Sequence, residues 1–128
     1  MTAKPAAKLI PIYNTVGDWE AFMLFPYLYN VIGEWVGWAT TSRQVYDVEG
    51  YYVGWLTDEP RILRKRTYDR PPARRSPPPS PSERARPPAT VPLPPMMAEL
   101  TFEVMDVLFE EPERLHTTDT GELKQDMD

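Results

Sequence analysis

Three stretches decide the fold: Ile12-Tyr13-Asn14-x-x-Gly17-Asp18-Trp19-Glu20-Ala21-Phe22, Leu28-Tyr29-Asn30-x-x-Gly33-Glu34-Trp35-Val36-Gly37-Trp38 and Val45-Tyr46-Asp47-x-x-Gly50-Tyr51-Tyr52-Val53-Gly54-Trp55. They align without an internal gap, at steps of 16 and 17 residues, so one supersecondary unit occurs three times. Each reads as strand, tight turn, strand. Asn14, Asn30 and Asp47 are placed to cap a turn with a side-chain oxygen, and a glycine three residues on supplies the positive φ that such a turn wants. A three- to five-residue hairpin loop with a bulge satisfies both.

Beyond each glycine, period-two alternation puts Trp19/Trp35/Tyr52 on one face and Phe22/Trp38/Trp55 on the other. Both rows are expected to be mainly core. Trp19, Trp35 and Tyr52 are the candidates for a ligand or partner surface. Ala21, Gly37 and Gly54 leave room for a neighbouring ring to lie on the backbone.

A fourth unit starts and breaks. Arg61-Ile62-Leu63-Arg64 repeats the strand, but Thr67 stands where the glycine should be, and Thr90-Val91-Pro92-Leu93 is the expected return strand. Between them the chain is rich in proline: 11 of the 16 prolines lie from Pro71 to Pro95. Residues 71–88 lack apolar anchors and are expected to form a disordered insertion. The expected organisation is a β-hairpin repeat domain at 9–70, this insertion, and a closing strand plus helix packed on the core at 89–115. An acidic tail follows at 116–128. Met97, Leu100, Val104, Val107 and Leu108 favour a short helix near 101–111, although Leu100, Phe102 and Val104 also alternate as a strand.

The repeat from Ile12 to Trp55 resembles the bacterial family named for a four-fold β-flower shape, with Val45-Tyr46-Asp47-x-x-Gly50-x-x-Val53-Gly54-Trp55 its clearest copy. The resemblance implies a mainly β fold of four repeated hairpins, from which the interrupted fourth unit of this chain departs, leaving a pseudo-fourfold arrangement. It implies no activity.

Composition narrows the function further. A net charge of −5 argues against a dedicated nucleic-acid binder, although Arg64-Lys65-Arg66 forms a local basic cluster. With no cysteine, disulfides and thiolate metal sites are excluded. A core this small leaves room for an oligomer. No apolar run approaches the ~18–20 residues of a membrane span, and residues 1–8 lack the apolar core of a secretion signal, so a cytoplasmic setting is expected.

No catalytic constellation, cofactor motif or metal site stands out. His116 is the only histidine and reads as a surface residue, while Asp18, Glu20 and Glu34 read as solvated acids beside turns. Arg75-x-x-Pro78-x-x-Pro81 has the spacing of a polyproline segment that docks in an aromatic groove. The expected function is therefore a non-enzymatic interaction or scaffold module with a protein partner. Small-ligand or glycan binding through the aromatic face is the alternative.

Overall fold

The computed structural model describes residues 8–118. One antiparallel sheet of eight strands runs in chain order, each strand paired with its sequence neighbour. The strands are β1 (Leu9–Tyr13), β2 (Trp19–Leu24), β3 (Tyr27–Asn30), β4 (Trp35–Ala39), β5 (Gln44–Asp47), β6 (Tyr52–Leu56), β7 (Ile62–Lys65) and β8 (Val104–Asp106). A one-turn helix, α1 (Val107–Glu110), and a 3-10 turn (Pro112–Arg114) follow. The sheet curls into a half-barrel of four hairpins.

The three intact turns are copies in atomic detail. Asn14 Oδ1 accepts from the N–H groups of Val16 and Asp18, Asn30 Oδ1 from those of Ile32 and Glu34, and Asp47 Oδ1 from those of Glu49 and Tyr51. These bonds satisfy turn amides that would otherwise lack partners. The links between units repeat as well: Thr40 Oγ1 accepts from Gln44 N–H, and Thr57 Oγ1 from Arg61 N–H.

Each of these three hairpins also carries a bulge, which corrects the two-faced reading of the aromatics. Tyr13 pairs with Trp19 while Ile12 pairs with Ala21, so Glu20 is the extra residue; Val36 and Val53 occupy the same place in the next two units. A bulge resets the alternation. Tyr46 lies opposite both Trp38 and Tyr52, and Tyr29 opposite both Phe22 and Trp35, so the two rows share one face. The other face is aliphatic: Ile12, Ala21, Met23, Leu28, Val45, Val53, Leu56 and Ile62 form the inner core with Met105, Val107 and Leu108. On the aromatic face Phe22 and Trp38 are buried and Trp55 is only half-buried. Gly37 and Gly54 make room for backbone rather than for rings, since a Cβ there would meet the carbonyl oxygens of Tyr46 and Leu63.

The closing strand is Val104–Asp106, not residues 90–93, and it pairs with β7 in the register Leu63 to Asp106. Pro92 and Pro94 explain the difference, because neither has an N–H for a ladder. The expected helix over 101–111 shrinks to α1. The β7 edge takes its first half as a strand, Asp106 caps the helix through Phe109 N–H, and Pro112 stops it.

Side chains join the ends of the curled sheet. Asp106 Oδ2 accepts from Thr15 N–H and Oγ1–H at 2.5 and 2.6 Å. Arg61, wholly buried, donates to Thr15 Oγ1, to Glu59 and to the Ala98 carbonyl. Of the tail expected from residue 116, residues 119–128 lie outside those described. Among the described residues no helix is long and apolar enough to cross a membrane.

Candidate functional site: a proline strap on the turn rim

Residues 66–103 replace the fourth turn, and residues 71–88 within them carry neither helix nor strand. Where a disordered insertion is expected, the structure has the segment hydrogen-bonded to the hairpin turns. Leaving β7, this strap passes the third, second and first turns in that order and rejoins the sheet as β8. Arg75 N–H donates to the Gly50 carbonyl and Ala85 N–H to the Gly33 carbonyl, each at 3.0 Å. Both donors begin an x-x-Pro-Pro tetrad, Arg75-Ser76-Pro77-Pro78 and Ala85-Arg86-Pro87-Pro88. A third tetrad, Pro92-Leu93-Pro94-Pro95, reaches the first turn, where Pro94 would lie 3.4 Å from a Cβ on Gly17. Its first residue has no N–H to give. Instead the Pro92 carbonyl accepts from the Tyr13 hydroxyl at 2.5 Å.

A second tyrosine does the same, Tyr27 Oη–H donating to the Pro79 carbonyl at 2.7 Å. Burial raises the Tyr13 pKa above the ordinary phenol value. The guanidinium of Arg75 stands 5.8 Å from the centre of the Tyr46 ring, that of Arg74 5.7 Å from Tyr51, and Arg84 donates to the Ile32 carbonyl. Rings, hydroxyls and turn carbonyls thus serve a segment that has few apolar anchors of its own. Proline lowers the cost of ordering it, because an extended polyproline chain is stiff before it binds.

The sequence candidates divide between these surroundings. Trp19 and Trp35 are half-buried, and their indole N–H groups donate to the Ala21 and Gly37 carbonyls at 2.7 Å. Tyr52 is buried against Tyr46 and Tyr68 and donates to Gln44. Trp35 and Pro81 line a cleft of about 310 Å³ together with Glu34, Ser82 and Arg84. Arg75 lies on the third turn and Pro78 is half-buried, so the polyproline motif faces this chain's own hairpins. The basic cluster is engaged as well: Arg64 sits over the Tyr52 and Tyr68 rings, and Arg66 makes a two-pronged contact with Glu110 at 2.7 and 2.8 Å.

The turn acids are not all free. Glu34 and Glu20 accept from the side-chain amides of Asn30 and Asn14, at 2.9 and 3.4 Å. Burial first, then the charges of Asp18 and Asp106, raises the Glu20 pKa. His116 also departs from the sequence reading. Its Nε2 is 3.8 Å from Asp47 Oδ2 and 3.4 Å from Glu49 Oε1, a grouping with the donor atoms of a metal centre. Neither the strap's seats nor this cluster is local in sequence, so no motif flagged them. The recurring x-x-Pro-Pro tetrads were a visible signal for the first.

The mainly β fold of repeated hairpins is consistent with what comparison of the sequence with known families finds. The family model of the 4-fold beta flower protein matches residues 7–102, and the chain belongs to that family. The matched span takes in β1 to β7 and nearly all of the strap. No curated protein and no solved structure matches the chain.

Proposed function

We propose that this domain is a protein-interaction module that holds extended proline-rich peptide along its turn rim, with its own strap as the resident ligand. The observation that supports it is the pair of tyrosine hydroxyls, Tyr13 and Tyr27, donating to strap carbonyls beside two backbone bonds to turn glycines. Aromatic side chains that donate to the carbonyls of a stiff, N–H-poor chain are the general means by which proline-rich peptides are recognised. Binding rather than catalysis is our reading because the turn acids Glu20 and Glu34 are committed to the amides of their own caps. A segment of a partner protein would compete with the strap for the same seats.

Loosening the strap without touching the seats tests this. Glycine at Pro77, Pro78, Pro87 and Pro88 removes the stiffness and leaves Tyr13, Tyr27 and the turns intact. A synthetic peptide of residues 71–98, added to that variant, should bind saturably and at least tenfold more tightly than to the parent chain. Tyr27→Phe in the loosened background should weaken it. Absence of saturable binding to the loosened variant would remove the proposal.

The cleft beside Trp35 favours a second reading, in which a small ligand binds there. Tryptophan fluorescence that responds to sugars or choline-like cations but not to the peptide would select it.

A further inference from the structure

We propose that Asp47, Glu49 and His116 form a binding site for a divalent transition metal, zinc in type, at the third hairpin turn. The three ligand atoms lie within 4.8 Å of one another, with His116 Nε2 at 3.4 Å from Glu49 Oε1 and 3.8 Å from Asp47 Oδ2. Tetrahedral zinc with bonds of about 2.0–2.2 Å holds its ligands about 3.3–3.5 Å apart, so small side-chain rotations suffice.

Three features set this cluster apart from surface acids. Asp47 is buried, and its carboxylate is fixed by the Glu49 and Tyr51 N–H groups on Oδ1, which leaves Oδ2 facing the imidazole. His116 Nδ1 lies 3.1 Å from the Thr117 carbonyl. A proton on Nδ1 donated to that oxygen leaves the Nε2 lone pair pointing at two carboxylates, the tautomer and outer bond found at histidine metal ligands. Third, the repeat itself departs here. The first two turns are capped by Asn14 and Asn30, whose amides donate to Glu20 and Glu34. Only the third has a carboxylate cap, Asp47, and that cap is the one that meets a histidine. One imidazole and two carboxylates suit zinc, manganese or ferrous iron better than magnesium or calcium, with the remaining position open to water. The ion would bolt the segment after the 3-10 turn to the turn that seats Arg75 of the strap.

Asp47→Asn is the discriminating variant, because asparagine already caps the other two turns and keeps the hairpin. Metal-free full-length chain is titrated with Zn²⁺ by calorimetry and with Co²⁺ by visible absorption. The parent should bind one ion per chain, with cobalt bands of low-symmetry coordination, and its Tm should rise with added Zn²⁺. Asp47→Asn and His116→Gln should each weaken uptake at least tenfold, the scale lost with a ligand or its support, while melting like the metal-free parent. No saturable uptake by the parent would overturn the site. So would uptake that Asp47→Asn and His116→Gln both retain.

Discussion

Alanine at Gly33 and at Gly17 should have different costs, and the difference measures how firmly the strap is held. The two glycines have nearly the same backbone, φ +88° and +95°, so each substitution carries the same left-handed penalty of about 1–2 kcal/mol. Their surroundings differ. A Cβ on Gly33 would stand 2.0 Å from the Ala85 carbonyl oxygen, a backbone atom that must move away. A Cβ on Gly17 would meet only a Pro94 side-chain carbon, at 3.4 Å. Moving Ala85 breaks its bond to the Gly33 carbonyl, worth about 0.5–1.5 kcal/mol, and with it the Arg84 contact to Ile32, for a further amount of about the same size. Gly33→Ala should therefore be about 1–3 kcal/mol more destabilising than Gly17→Ala in urea unfolding. Trypsin should also cut after Arg84 faster in Gly33→Ala alone. Equal losses of stability, within ~0.5 kcal/mol, with unchanged cleavage would refute a strap seated on the turns.

Trp38 is buried and stacked on Tyr46 at 4.8 Å, so Trp38→Ala should cost about 3–5 kcal/mol in chemical unfolding. Its indole N–H has no acceptor among the described residues, so Trp38→Phe should cost less than half as much; equal losses would mean that the nitrogen matters. Acid unfolding should reveal two opposed carboxylates. The hydrogen bond from Arg61 lowers the Glu59 pKa, so its stabilisation is complete above the ordinary value and is lost as pH falls through the lowered one. Glu20 is raised, so stability declines as pH climbs from the ordinary value through the raised one, and Glu20→Gln should stabilise the protein at neutral pH. Urea midpoints measured from about pH 3 to 7 check both signs, and an unchanged profile in Glu59→Gln would count against the Arg61 bond.

What the sequence by itself determined was everything carried by contacts of a few residues. Asn14, Asn30 and Asp47 reach N–H groups two and four residues on, and the glycine that completes each turn lies three residues on. Side-chain chemistry at that range is dictated by spacing, so the hairpins and their repetition were legible. The loop spacing already calls for a bulge, but strict alternation misses its consequence, that Glu20, Val36 and Val53 are set aside and the faces reset. Rings three residues apart, Trp19 and Phe22, share a face only once a residue is set aside, and their centroids are 6.4 Å apart. The tertiary structure alone decided the rest. Which segment closes the fourth hairpin depends on Leu63 meeting Asp106 across 43 residues, and His116 meets Asp47 across 69. The strap is the clearest case. Composition reports that residues 71–88 have little to bury. It is silent on the turn carbonyls and tyrosine hydroxyls that the curled sheet lines up to receive them. A chain poor in its own anchors is ordered when a folded surface supplies the partners, and that surface exists only after the hairpins have assembled.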